Sequence, residues 1–237
     1  MLGSMRCWVL DAWTENVGLE VVFLDIGGVI YDDRTYRVAV LRGLRELGAV
    51  VTEQEYEAVY DDLRRAQDGS FRDTLADRFL DAKVGREVVT RAVASHWSHP
   101  PEALHQDVVP CLETLTAAGY RLGVIANQPS EVREAMARDR LVDYFEFLGV
   151  SDDLGLEKPD PRIFSHAVEA IGAAPSVCAM VGDRLDHDVR PAKVAGMRAV
   201  WVLRGEAPER PTREQLDEPD AWVRTLADLP AALEAIA

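Results

Sequence analysis

The sequence predicts an α/β fold: a parallel sheet covered on both faces, with an all-helical segment inserted after the first strand. Three observations carry that expectation. The stretch Val21–Val29, V-V-F-L-D-I-G-G-V, is an apolar run closed by a carboxylate and two glycines, the pattern of a buried strand handing over to a tight loop. Between residues 33 and 105 the apolar spacing is helical. From Asp107 onward strands alternate with helices, which argues for parallel pairing with right-handed crossovers.

The elements follow in order. Val40, Leu44 and Leu47 share a helical face that stops at Gly48. Thr52 and Glu55 have capping-box spacing, and Tyr56, Val59, Tyr60 and Leu63 form one apolar face behind them. Periodicity predicts two more helices, over 71–82 and 86–97; His96 and His99 at the end of this segment read as surface or linker residues. The second half predicts helices at 108–118, 131–140 (capped by Ser130), 161–171 (capped by Asp160 and opened by Pro161) and 188–195. Between them fall strands at 120–126, 145–150, 177–181 and 199–203. The stretch 206–219, rich in Pro and charge, reads as a surface loop before a last strand and helix. The implied organisation is an N-terminal extension over 1–18, a core of 19–32 and 106–237, and a helical cap over 33–105.

The 237 residues carry 26 Lys+Arg against 41 Asp+Glu, a net charge of −15. Such a field repels polyanions, so nucleic acid and anionic membrane surfaces are not expected partners. The short apolar run Cys7–Leu10 is broken by Asp11 and fits neither a secretory nor a membrane-spanning segment, so a cytoplasmic protein is expected. Three cysteines, Cys7, Cys111 and Cys178, lack paired spacing and read as reduced structural thiols.

Chemistry-bearing residues gather at predicted strand ends. Asp25 ends the first strand; Ala126-Asn127-Gln128 follows the second; Gly182-Asp183 with Asp186 and Asp188 follows another; Lys158 stands alone before a helix. Parallel strands would bring all of them to one edge of the sheet. Carboxylates, a backbone carbonyl and waters around one lysine suit Mg²⁺, which prefers six oxygen ligands. His187 at a helix start is expected to face solvent.

In this order, D-I-G-G-V, V-I-A-N-Q, E-K-P-D-P and V-G-D-R-L-D-H-D, the chain resembles the haloacid dehalogenase superfamily over about residues 21–203. These are mostly phosphatases with a Rossmann-like core and a helical cap. The resemblance implies a Mg²⁺-dependent phosphatase acting on a small phosphorylated metabolite through an aspartyl-phosphate on Asp25. It implies Lys158 as the cation steadying nucleophile and phosphate, and Asp25, Asp183 and the Gly27 carbonyl as metal ligands. Asp188 would orient Lys158 or waters on the metal, while Gly28, Ala126 and Asn127 would face the substrate.

Two positions depart from the family pattern. Gly27 stands where these phosphatases carry the acid that protonates the leaving group, and Ala126 where a hydroxyl donor is usual. The losses amount to about 10²–10⁴ and about 10²–10³ in rate. A diphosphate or acyl phosphate, whose leaving group departs as a stable anion, would tolerate Gly27. The alternatives are a catalytically weak or inactive binding or regulatory module, which the two departures keep open, and a metal-free dehalogenase, which Asp183 argues against.

Overall fold

The computed structural model describes residues 18–237. In chain order, β1 (Val21–Leu24) is followed by the helical segment α1 (Arg34–Glu46), α2 (Glu53–Ala66), α3 (Phe71–Phe79) and α4 (Arg86–His96). The chain then runs through α5 (Val108–Ala117), β2 (Arg121–Ala126), α6 (Val132–Arg138), β3 (Phe147–Val150), α7 (Ser151–Leu154), α8 (Pro161–Ile171) and β4 (Cys178–Gly182). A π-helical turn, Leu185–Val189, leads into α9 (Arg190–Val194), β5 (Arg198–Val202), α10 (Arg213–Leu216), β6 (Ala221–Val223) and α11 (Leu229–Ile236). The α/β expectation holds. The predicted 188–195 helix is shorter, because the π turn takes up Asp188.

The six strands are all parallel, in the order β3-β2-β1-β4-β5-β6. β1 is paired on both sides, Val22 opposite Leu122 and Ala179. It has no solvent face, which is why it reads as an unbroken apolar run rather than an alternating one. Val22 and Leu24 point to one core with Leu112, Leu115, Val132, Met136 and Leu229. Val21 and Phe23 point to the other with Phe164, Ala167, Met180 and Trp201. The strand order reverses between β1 and β4, and the crevice beyond such a reversal is where open α/β sheets bind ligands.

The helical segment has a core of its own, built around Leu44, Tyr56, Tyr60, Phe71, Leu75 and Val93. The Thr52–Glu55 capping box forms at the start of α2. The corner between α2 and α3 is fastened to the main body by side chain to backbone bonds. Gln67, fully buried and left-handed at φ 50, donates to the Glu206 carbonyl at 2.7 Å and accepts from the Leu185 N–H at 2.9 Å. Arg64 donates to the Ala207 carbonyl at 2.6 Å. Unmade, each buried backbone group would cost about 1–3 kcal/mol, so these bonds hold the corner in register.

Some local expectations need correction. Ser130 does not cap α6; its hydroxyl bonds Asp152 and Asp153 across the loop, and α6 starts with no side-chain cap. Asp160 does cap α8, accepting from the Arg162 N–H at 2.9 Å. Cys111 and Cys178 are buried free thiols, as expected, while Cys7 lies outside the described residues. No helix among the described residues is long and apolar enough to cross a membrane.

His99 is not a simple surface residue. Its ring packs at 5.1 Å from both Tyr31 and Trp97, and burial, helped by the Arg138 charge, lowers its pKa to about 4. An unfolded histidine titrates near 6.5. Protonation therefore favours the unfolded chain: this stabilising contribution is complete above about pH 6.5 and is lost as pH falls towards 4. We expect the wild type to lose roughly 1–2 kcal/mol more than His99→Gln between pH 7 and pH 5. Urea denaturation of both proteins at the two pH values measures this, and equal losses would refute it.

Candidate active site

Asp25 leaves the carboxyl end of β1 with its N–H on the Val181 carbonyl at 2.9 Å, which ties it to both strands at the reversal. Its Oδ1 accepts from the Ile26 N–H at 2.8 Å and lies 2.9 Å from Lys158 Nζ. No described residue donates to Oδ2, which leaves that oxygen free to react. Burial raises the Asp25 pKa to about 6; Lys158 opposes the rise and Asp188 adds to it.

Lys158 is 3% exposed and touches two carboxylates, Asp25 and, at 2.6 Å, Asp188. Burial disfavours its charge, yet Asp188 and Asp25 outweigh burial and hold its pKa above the ordinary lysine value. Asn127 positions it. The Asn127 side chain donates to the Lys158 carbonyl at 2.8 Å and accepts from its N–H at 2.7 Å, a two-point clamp between β2 and the loop before α8. Asn127 lines the cavity as expected, but its side chain is engaged with backbone rather than presented to a substrate.

Asp183, at the end of β4, is held by its neighbours. The Trp201 indole N–H donates to its carbonyl at 2.8 Å, and the Glu206 N–H donates to Oδ2 at 2.6 Å. Burial, together with the charges of Asp33, Glu206 and Asp25, pushes its pKa well above the usual carboxylate range. Oxygens of Asp25, Asp183 and Asp188 lie within 4.8 Å of one another. Both Asp188 oxygens are already engaged, one by Lys158 and one by the Arg184 N–H at 3.0 Å, so Asp188 fixes the lysine. Asp25 and Asp183 are the pair that could hold a metal. Asp25, Asp33, Asp183 and Asp188 outnumber the single buried lysine among them, a surplus of negative charge that a divalent cation would offset.

These groups open into a cavity of about 1050 Å³. Its floor is Asp25, Gly27, Asp33, Lys158 and Asp183; the helical segment supplies Tyr36, Phe71, Arg72 and Trp97 opposite. Two expected substrate contacts are corrected. Gly28, at φ +65, has its N–H on the Tyr31 carbonyl and its own carbonyl on Arg204, so its backbone is committed to the loop and is absent from the lining. Ala126 is fully buried within β2 and does not reach the cavity.

Three residues were missed. Glu206 begins the stretch read as a surface loop, yet it is 8% exposed, accepts from Tyr60 at 2.8 Å and pairs with Arg184 at 3.1 Å. Arg184 stacks 4.0 Å over Phe71, pairs with Asp186 at 2.6 Å and donates to the Gly69 carbonyl, joining the main body to the helical segment. His187 lines the cavity 3.1 Å from Asp186 instead of facing solvent. The contacts of Glu206 with Tyr60 and Arg184, and of Arg184 with Phe71 and Gly69, join loops distant in sequence and follow no spacing rule.

The family model described as haloacid dehalogenase-like hydrolase matches residues 19–196. The chain belongs to that family. It is 35% identical over 142 residues to a phosphoserine phosphatase of Thermus thermophilus, covering 60% of this chain and 56% of that protein. The chain spans about half the length of the curated relatives it matches first. Among solved structures it is similar to a HAD phosphatase from Thermococcus onnurineus (28% identity, TM-score 0.60, 91% of this chain and 98% of that one). It is also similar to a 2-haloacid dehalogenase from Pseudomonas syringae pv. Tomato DC3000 (26% identity, TM-score 0.59, 92% and 100%).

Proposed function

We propose that this chain is a Mg²⁺-dependent phosphatase that moves the phosphoryl group of a small phosphorylated metabolite first to Asp25 and then to water. One observation carries the reading: Asp25 faces the cavity with Oδ1 held by Lys158 and the Ile26 N–H while Oδ2 stays unengaged. A carboxylate oriented through one oxygen is ready to attack through the other. Lys158 would take charge from the transferring phosphoryl group, and Asp188 and Asn127 would keep the lysine in place. Asp25, Asp183 and the Gly27 carbonyl would hold Mg²⁺, which supplies charge neutralisation at the phosphoryl oxygens.

The helical segment, 33–105, would act as the cap that closes the cavity and selects the substrate through Tyr36, Arg72 and Trp97. Gly27 carries no acid; on that ground alone the site favours a diphosphate or acyl phosphate. Halide displacement without metal is disfavoured by Asp183, a buried carboxylate beside Asp25 that such chemistry does not need. A phosphate-release screen with Mg²⁺ is the test. Asp25→Asn should lower turnover at least about 10³-fold, and equal release by both proteins refutes the reading.

A further inference from the structure

The alcohol of an alkyl phosphate ester departs as an alkoxide unless a proton reaches the bridging oxygen, so turnover of such esters calls for an acid beside Asp25. Most of its ionisable groups are already engaged. Lys158 and Asp188 hold each other, Glu206 is bound by Arg184 and Tyr60, and His187 lies against Asp186. Asp33 is different: no cation pairs with it among the described residues, its side chain makes no capping bond at the N-terminal boundary of α1, and its carboxyl shares a hydrogen bond with the carboxyl of Asp183.

The placement of the Asp33 carboxylate is specific. A Cβ built on Gly27 would lie 2.8 Å from Asp33 Oδ1, with the Gln128 amide nitrogen 3.4 Å from the same point. Asp33 thus occupies the space that a side chain at Gly27 would enter, two residues beyond Asp25. A Cβ on Gly28 or Gly205 would come within 2.7 or 2.8 Å of Asp33 Oδ2. At Gly28 and Gly205 the Asp183 carboxylate lies nearer still, so those two glycines make room for the pair, whereas at Gly27 Asp33 is the nearest group, and it lines the cavity with Asp25.

We propose that Asp33 is the acid and base of this site, delivered from the start of α1 into the space left by Gly27. The proposal rests on the phosphatase reading above. In the first step Asp25 Oδ2 forms a bond to phosphorus, the bond from phosphorus to the leaving oxygen breaks, and that oxygen keeps the electron pair and takes the proton of Asp33. In the second step water attacks phosphorus, its proton passes to the Asp33 carboxylate, and the bond to Asp25 breaks with its electron pair returning to Asp25. Ester and water become alcohol and phosphate, and both aspartates are restored. Alkyl monoesters thereby become substrates, beyond the acyl phosphates and diphosphates that Gly27 alone would favour.

The test compares Asp33→Asn with wild type on glycerol phosphate and other alkyl monoesters, p-nitrophenyl phosphate and acetyl phosphate, with Asp25→Asn as control. Asp33→Asn should lower kcat/KM about 10²–10⁴-fold on the alkyl esters. On the two activated substrates kcat/KM should change little, and a burst of product should precede a slowed steady state, because hydrolysis of the intermediate loses its base. The double variant Gly27→Asp/Asp33→Gly, which moves the carboxylate across the same space, should regain alkyl turnover. Equal loss of kcat/KM on every substrate, with no burst, would make Asp33 structural and overturn the proposal alone. A wild type that turns over activated substrates but no alkyl monoester would also overturn it. Release that does not depend on Asp25 would overturn both the proposal and the phosphatase reading.

Discussion

Lys158→Met is expected to destabilise the protein by about 3–5 kcal/mol at pH 8 and to abolish hydrolysis. The lysine is 3% exposed and lies within 2.9 Å of Asp25 and 2.6 Å of Asp188. Methionine keeps most of the volume but leaves two buried carboxylates facing each other without a cation. The loss should shrink as pH falls. In the wild type, burial already raises the Asp25 pKa to about 6, above its unfolded value, so proton binding there favours the folded state below that pH. Removing the lysine removes the charge that opposes the rise, so the variant gains more than the wild type on acidification. Urea denaturation at pH 8 and pH 5 checks both points. A difference below 1 kcal/mol at pH 8, or one that grows at pH 5, would contradict the pairing described.

Asp183→Asn should have opposite effects with and without Mg²⁺. Without metal the variant should be as stable as wild type or more so, by on the order of 1 kcal/mol. The asparagine carbonyl can still accept the Glu206 N–H, while the repulsion from Asp33, Glu206 and Asp25 is relieved. With Mg²⁺ at about 100 times its Kd the wild type should gain about 2.7 kcal/mol, and the variant should lose most of that gain along with turnover. Thermal unfolding with EDTA and with millimolar Mg²⁺ reads both effects. A wild-type transition indifferent to Mg²⁺ would remove Asp25 and Asp183 as a metal pair.

Much of the site was visible in the chain before any coordinates. Asp25, Asn127, Lys158, Asp183 and Asp188 could be assembled because parallel strands end on the same side of a sheet, so residues just beyond separate apolar runs must meet. Gly28 and Ala126 were expected to face the substrate as well and do not reach the cavity. The direction of a strand residue and the partners of a loop backbone depend on neighbours that adjacency in sequence does not reveal. Gly28 is held by Tyr31 and Arg204, and Ala126 is buried within β2.

The parallel sheet, the helical segment after β1, the Thr52–Glu55 cap and the order of the charged strand ends all follow from local pattern. Apolar periodicity and capping chemistry act over a few residues and are written in them. Glu206 belongs to a different class. It reaches Asp183 across 23 residues and Gln67 across 139, through loops with no periodicity. Folding alone brings it to the cavity, because such contacts depend on how the helical segment docks on the sheet rather than on any local preference. The tight loop after β1, closed by the Gly28 N–H on the Tyr31 carbonyl, sets the carboxylate of Asp33 against Gly27, so the position that reads as a missing acid in the sequence has an acid beside it in the fold.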